Sequence, residues 1–600
     1  MIKELSELGK ILRDKMSENE RIHIALKQEI ISFDLVIHDD GRFERFQPID
    51  KVRTTCEAVT AKKGKARLLL DRAEEVLCYG GNKAQKKHEL FIEKLKLYSD
   101  LRELEPVLKF YKSNKENGFD KARQRFEIDF PKEKDRKGNI AFRLFNAERR
   151  IHEEEAVYQK VIEIDTVSQD KSMSKFRSPC SVCGGTAYAI PEIHEKIKTV
   201  PPVDDGKYAA RSIVSYNDNA YESYELRRNL NSLICASCAK NYVEGLNWLL
   251  SAGPRVKNKK GKEYIAYTNR KNFGSDTAMV FWTRKNERLD EIDYLEAPNP
   301  ADVARLIESV FSGTERDSRD LEPDQFYSCT LSGSAARISV RDWIETSLFD
   351  FRKSIANWFQ DISIAEYDAD LKNTKTHYPR LYDLARSCQR KNNDGRYDKD
   401  DASLARVATY LWNAALKNIA PPLWILTKVL QRARLDKYGI TTERAALIKL
   451  ILNRHNRGGD FVITEKIEQG DRPVAYVCGQ IFAVLESVQR AALGKNVNAG
   501  IRERYFTFAL TTPSPAFGRL FNLSSKHFTK LKTEKPGLAV VLDKKLQELC
   551  KGIKIEEFPS TFTLEEQGQF AIGYYHQKSN WKNDPKLKET VEEDENERND

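Results

Sequence analysis

Two Cys-x-x-Cys pairs, Cys180/Cys183 and Cys235/Cys238, stand on either side of a polar-aromatic run, SIVSYNDNAYESY (residues 212–224), and constrain the fold of this chain more than any other stretch. Each pair is spaced to close a tight chelating turn. Four thiolates brought together complete a tetrahedral, structural Zn2+ site with no position left open for catalysis. Pro179 precedes the first pair and Gly184 and Gly185 follow it, residues that suit such a turn. The residues between the pairs would then form a small subdomain whose ends the metal pins together. Four small buried residues that bind nothing are the plain alternative. His194 can replace one thiolate, or be an ordinary surface or core histidine.

A chain of 600 residues is too long for one hydrophobic core, which predicts about two to four domains. Its 40% hydrophobic and 32% charged residues describe a soluble globular protein. No apolar run reaches the ~18 residues a membrane span needs, and residues 1–15 alternate charge with apolar side chains where a signal peptide carries an apolar core. A cytoplasmic protein without a membrane partner is expected. Cys56, Cys78, Cys329, Cys388, Cys478 and Cys550 are scattered singly, which suits a reducing compartment better than a disulfide framework.

The net charge of +10 is modest for the length, but the basic residues cluster. Lys62, Lys63, Lys65 and Arg67 surround Gly64; Lys83, Lys86 and Lys87 follow Gly80-Gly81-Asn82; Lys257, Lys259, Lys260 and Lys262 surround Gly261, with Arg270 and Lys271 beyond. A single charge run is ordinarily a solvated face. Several glycine-flexed basic loops together favour a polyanion partner, because each phosphate neutralised releases condensed counterions. The acidic end, Glu589 to Asp600, lacks apolar anchors, and a disordered tail over 586–600 is expected.

Periodicity predicts an α+β protein: a mixed N-terminal and central α/β region with a four-cysteine zinc-type module, followed by a C-terminal helical bundle. Ile2, Leu5, Leu8, Leu12 and Met16 recur at helical spacing; Phe33, Leu35 and Ile37 alternate into an Asp40-Gly41 turn, with Phe43 on the return strand. A helix is expected over 67–79, ended by Gly80-Gly81, and a strand pair over 123–146. The expected domains are 1–175 (N-terminal α+β), 176–250 (cysteine-bounded), 251–390 (central, sheet-containing), 391–585 (helical bundle) and the tail. Ala278 to Trp282 and Phe326 to Ile344 carry the buried-strand signal of the central region. Leu404, Val407 and Leu411 open the helical series, interrupted at Pro421-Pro422.

Catalytic motifs do not stand out. Residues 253–262 have the wrong spacing for a phosphate-binding loop and no following Ser or Thr, and neither a nucleophile elbow nor HExxH occurs. Asp368 and Asp370 can in principle share a metal ion, but two acids on a loop are ordinarily solvated. Binding and scaffolding are expected, and no enzyme activity. A zinc-stabilised nuclease and a stand-alone nucleic-acid-binding factor are the alternatives.

Several long segments resemble the large subunit of the type I-C CRISPR Cascade surveillance complex. They are SIVSYNDNAYESY with LNWLL (246–250), FYSCTLSGSAARISVRDW (326–343), AYVCGQIFAVLESVQRAAL (475–493), RERYFTFALTTPSPAFGRLF (502–521) and QGQFAIGYYHQK (567–578). Asn-Ala-Ala-Arg is more usual where this chain has Ser334-Ala335-Ala336-Arg337. The resemblance implies a subunit of a crRNA-guided complex that recognises the protospacer-adjacent motif (PAM) in double-stranded DNA, helps open the duplex and holds the displaced single strand. It also implies as partners the Cascade backbone and guide-processing subunits, a small subunit, and a docked helicase-nuclease that does the cutting.

On that basis the N-terminal domain would meet the PAM duplex through Lys62, Lys63, Lys65 and Arg67 and through the Gly80, Gly81, Asn82, Lys83 turn. Glycines permit close approach, Asn82 can pair with base edges, and lysines hold phosphates. In the bundle, Arg502, Arg504, Lys526, Lys530 and Lys532 would form a cationic groove for single-stranded DNA. Tyr505 and Phe506 would sit beside it, either as stacking platforms or as core.

Overall fold

The alternation at Phe33, Leu35 and Ile37 becomes a long strand, β1 (Leu26–Ile37), which turns back into β2 (Phe43–Glu57). The computed structural model describes residues 1–15, 25–58, 66–81, 83–173, 178–186, 190–204, 207–258, 261, 263–312, 324–334, 336–368, 373–392, 395–397, 401–459, 461–467, 470–494, 500–551, 553 and 558–581. The chain divides into two units. One comprises Met1–Val200, Tyr208–Ala266 and Gly333–Ser339, the other Pro201–Lys207, Tyr267–Ser332 and Val340–Asp600.

In the first unit the hairpin sets Leu35 opposite Phe46 and Ile37 opposite Phe43. Gly41 closes the turn at φ +85°, and a Cβ there would lie 2.4 Å from the Phe110 nitrogen. Glycine therefore serves twice, for the left-handed backbone and for docking the hairpin on the Glu105–Tyr111 helix. β3 (Leu70–Arg72) and β4 (Asn139–Leu144) complete a sheet of order β2-β1-β4-β3, with β1 and β4 parallel. A parallel pair needs a long crossover, and the helices Ala84–Lys96, Glu105–Tyr111 and Lys121–Asp129 supply it. Their apolar faces close the core around Phe33, Leu35, Phe110, Phe126 and Phe142.

Two expectations fail in this unit. Residues 67–79 are not one helix: they form β3 and a single turn, Ala73–Val76, because Leu69 (φ +58°) and Cys78 (φ +52°) take left-handed conformations that interrupt a right-handed helix. Of the strand pair expected over 123–146, only β4 exists. The first half belongs to the Lys121–Asp129 helix, which buries Ala122 and Phe126 one turn apart against Phe33.

The first helix, Ile2–Asp14, packs on Ala236–Ser251, the helix that follows the second cysteine pair. The backbones nearly touch: a Cβ on Gly9 would lie 2.0 Å from the Asn241 carbonyl oxygen, and one on Gly245 would lie 2.6 Å from that of Leu5. The cysteine module is thereby built into the N-terminal region instead of hanging from it.

Strands Arg270–Phe273, Thr277–Thr283, Gln325–Ser334 and Arg337–Ser347 follow sequence order across one sheet, as the buried-strand signal predicted, and all of them but Gly333–Ser339 belong to the second unit. Helices from Asp401–Lys417 to Leu564–Trp581 then form the C-terminal bundle. Val474–Leu493 is buried on almost every side and lies along Leu564–Trp581. The strongest of the resembling motifs are thus one packed helix pair. No described helix is long and apolar enough to cross a membrane.

Candidate metal centre and nucleic-acid interface

The structure brings Cys180, Cys183, Cys235 and Cys238 together, with all four sulfurs within 4.8 Å of one another. A tetrahedral Zn–S distance of about 2.3 Å implies sulfurs about 3.8 Å apart, so a metal ion fits with small adjustments. Local sequence explains the convergence. Gly184 turns the first pair at φ +70°, its N–H donating to the Cys180 carbonyl at 2.9 Å, while the Cys180 N–H donates to Gly185. Cys235 caps the Ala236–Ser251 helix, and its sulfur accepts from the Cys238 N–H at 3.5 Å. Ser181 ties the two turns, its N–H donating to the Leu233 carbonyl at 2.9 Å and its hydroxyl to Ser232 at 3.0 Å.

One donor, Cys180, is electrostatically prepared for a cation. Burial pushes the Cys180 thiol up, but N–H groups of Cys235, Cys183 and Val182 outweigh it and bring the group down to about 7. Burial pushes Cys235 up to about 11 and Cys238 higher still. A bound divalent ion reverses that penalty by stabilising the thiolates. His194 is not among the donors; it is buried, with Nδ1 2.8 Å from the Tyr242 hydroxyl. The centre is therefore a four-cysteine cluster.

The first two resembling motifs also meet in this unit. The Ser212 N–H donates to the Ala336 carbonyl at 3.0 Å, and the Ile338 N–H returns to Ser212 at 2.9 Å. Arg337 lies 6.0 Å over the Tyr221 ring and 3.9 Å from Asp218. Tyr224, at 86% exposure, faces solvent.

Of the N-terminal candidates, Lys62, Lys63, Lys65 and Asn82 lie outside the described residues. Arg67 is held internally, 3.2 Å from both Asp71 and Glu29, with a further hydrogen bond to Asn139 at 3.0 Å. Those contacts leave its guanidinium a brace across the β3–β4 edge. Gly80 (φ +124°) and Gly81 are exposed, open space surrounds Gly81, and Lys83 is exposed at the start of Ala84–Lys96.

The C-terminal candidates divide in the same way. Arg502 is a loop clamp: its guanidinium donates to the carbonyls of Lys437 at 2.9 Å and Asp436 at 3.3 Å, filling the space left by Gly439. Phe506 is core, packed edge-on against Phe482 and Phe570, and Tyr505 is half-buried. Arg504, Lys526, Lys530 and Lys532 are exposed. Arg519, which the motif reading passed over, is also exposed, on the same Pro513–Glu534 helix as the lysines. That helix carries no carboxylate before Glu534, a signal that was present in the sequence.

No curated protein matches the chain. Residues 8–582 match the family described as CRISPR-associated protein (Cas_Csd1). With nearly its whole length matched, the chain belongs to that family, the large subunits of type I-C CRISPR Cascade.

Proposed function

We propose that this protein recognises the PAM in double-stranded DNA within a crRNA-guided complex, promotes unwinding and R-loop formation, holds the displaced strand and helps to recruit the helicase-nuclease. The family match carries this reading. The exposed Gly80-Gly81 turn with Lys83 fits close approach to a duplex, and the Pro513–Glu534 helix, with no carboxylate before its last residue, fits a sequence-indifferent strand contact. In this reading Zn2+ is a structural staple: four thiolates fill its coordination shell and leave no open position.

The test is binding of the assembled complex to a PAM-bearing duplex and to the same target with its protospacer already unpaired. Replacing Asn82 and Lys83 with Ala should weaken the first and spare the second; equal loss on both discards the assignment. The full chain incubated with DNA and Mg2+ or Mn2+ should leave the DNA intact, and cleavage would favour a nuclease.

A further inference from the structure

Between the helices Ala84–Lys96 and Glu105–Tyr111 and the turn after the second lies a cavity of 310 Å3. Its floor is aromatic. His88 stacks on Phe119 with centroids 5.0 Å apart and planes at 22°, and Tyr111 packs against both rings at 5.6 and 5.4 Å. Its rim is cationic, formed by Lys96, Lys112, Lys115 and Arg123, with Asp120 the one carboxylate, 3.9 Å from Lys115.

Several nearby cations are paired, Lys87 with Glu74, Lys94 with Glu57, Lys109 with Glu105 and Arg125 with Asp129. Lys96, Lys112 and Arg123 have no ion pair among the described residues. Gathering unpaired positive charge around one opening raises self-repulsion, which an anionic ligand relieves.

The floor is built by unusual backbone. After Tyr111 the chain winds wide: the Asn114 N–H donates to the Lys109 carbonyl at 2.9 Å and the Asp120 N–H to Lys115 at 3.0 Å, both five residues back. Gly118 makes the wide turn possible, since a Cβ there would lie 2.7 Å from the carbonyl oxygens of Gly41 and Phe110. Such turns are rare and recur at binding sites. The Tyr111 hydroxyl donates to the Val76 carbonyl at 2.7 Å, and His88 Nδ1 donates to that of Glu75 at 2.7 Å. Nε2 is thus the polar atom left on the His88 ring. Burial, then nearby Arg123 and Lys115, lower the His88 pKa, so Nε2 is an acceptor at neutral pH.

Inorganic phosphate would not need an aromatic floor, and an uncharged ring would not need the cations. At the small end of ligand-pocket volumes, the cavity suits one nucleotide and excludes a duplex. We propose that it holds a single unpaired nucleotide of a nucleic-acid strand, the base against Phe119 and His88 and its flanking phosphates on Lys96, Lys112 and Arg123. The proposal rests on the nucleic-acid-binding role above and adds a site to it. DNA and RNA share this chemistry, and the experiment separates them.

Full-length protein is irradiated with single-stranded oligonucleotides carrying one 5-iodouracil, in DNA and RNA versions of one sequence, and cross-linked peptides are mapped by mass spectrometry. Cross-links should fall on peptides containing His88, Tyr111 or Phe119. Whichever strand type cross-links there names the source. Replacing Lys112 and Arg123, both exposed, with Ala should weaken binding of that oligonucleotide about tenfold and reduce the salt slope by about 1.4, at roughly 0.7 per phosphate contact. Removing the base at the iodouracil position should cost about tenfold in wild type. Cross-links confined to other peptides, or a double variant with unchanged slope, overturn the site. If the site is overturned in this way while wild type still prefers PAM duplex, only the cavity proposal falls; wild type that binds no nucleic acid sinks both readings.

Discussion

The Tyr574 hydroxyl donates to the Glu486 carboxylate at 2.7 Å inside the C-terminal bundle, and the Lys578 ammonium stands 3.4 Å from the same oxygen. All three residues lie in the motifs that carry the family resemblance, so a conspicuous acid in those motifs has a structural partner set. Tyr574→Phe should cost about 1 kcal/mol, the usual net value of one hydrogen bond. Glu486→Ala should cost about 3 kcal/mol, because it leaves the Lys578 charge half-buried without its counter-ion. The double variant should lose less than the sum. Urea midpoints measure all three.

The same helix pair explains two glycines. A Cβ on Gly573 would lie 2.0 Å from the Tyr476 carbonyl oxygen, a backbone atom that moves only if the helices separate. Gly573→Ala should therefore destabilise by about 2–3 kcal/mol, as overpacking does. Gly518, exposed on the Pro513–Glu534 helix, has nothing within 4 Å of its would-be Cβ. Gly518→Ala should stabilise by about 0.5–1 kcal/mol through helix propensity. Opposite signs for the same substitution in one bundle, read by thermal unfolding, check the packing.

These glycines also mark how much was legible in the sequence. Helical stripes such as Leu404, Val407 and Leu411, and the Asp40-Gly41 hairpin, were read correctly because burial on one face leaves a period in the residues. The helix expected over 67–79 failed because a left-handed Leu69 leaves no compositional trace. The 123–146 strand pair failed because β4 pairs with β1 and β3, whose distance in sequence hides the partnership. At the candidate sites, Cys-x-x-Cys spacing located the four-cysteine cluster outright. Counting basic residues did not separate Arg67 and Arg502, held by internal partners, from Lys83 and Lys526, which are exposed; that distinction depends on tertiary neighbours.

Purified protein should contain about one zinc per chain by elemental analysis, as expected for a site of this donor set. Cys180→Ser and Cys238→Ser should each abolish it and make the chain between the two cysteine pairs sensitive to protease. His194→Ala should retain the metal, because His194 bonds Tyr242 and lies outside the donor cluster. Metal loss in H194A with retention in C183S would replace one thiolate by the imidazole.

Acid should weaken the fold before carboxylates titrate. Burial depresses His576 to about 3 and His152 and His194 to about 4. An unfolded histidine titrates near about 6.5. Below that value the unfolded chain binds protons that the native chain refuses, so stability is fully present above about pH 6.5 and falls toward pH 4. At pH 5.5 each of these groups should have cost about 1 kcal/mol. Denaturant midpoints at pH 7, 5.5 and 4.5 should fall in that order. His576→Gln should flatten the slope; an unchanged slope would mean that His576 is charged in the fold.

Arg502 and the lysines of the Pro513–Glu534 helix should part company when each is neutralised. Arg502→Ala removes donors from the carbonyls of Asp436 and Lys437 and empties the space over Gly439, so it should cost about 1–3 kcal/mol of stability. It should leave the salt slope of single-strand binding unchanged, because its charge is turned inward. Lys526→Ala with Lys530→Ala should do the reverse. Both are exposed, Lys530 stands only 3.7 Å from Glu534 as a surface pair, and stability should move by less than about 0.5 kcal/mol. If these lysines touch phosphates, the slope of log affinity against log salt should drop by about 1.4 for the pair. A slope that falls in R502A and holds in the double lysine variant would move the strand-binding surface off this helix.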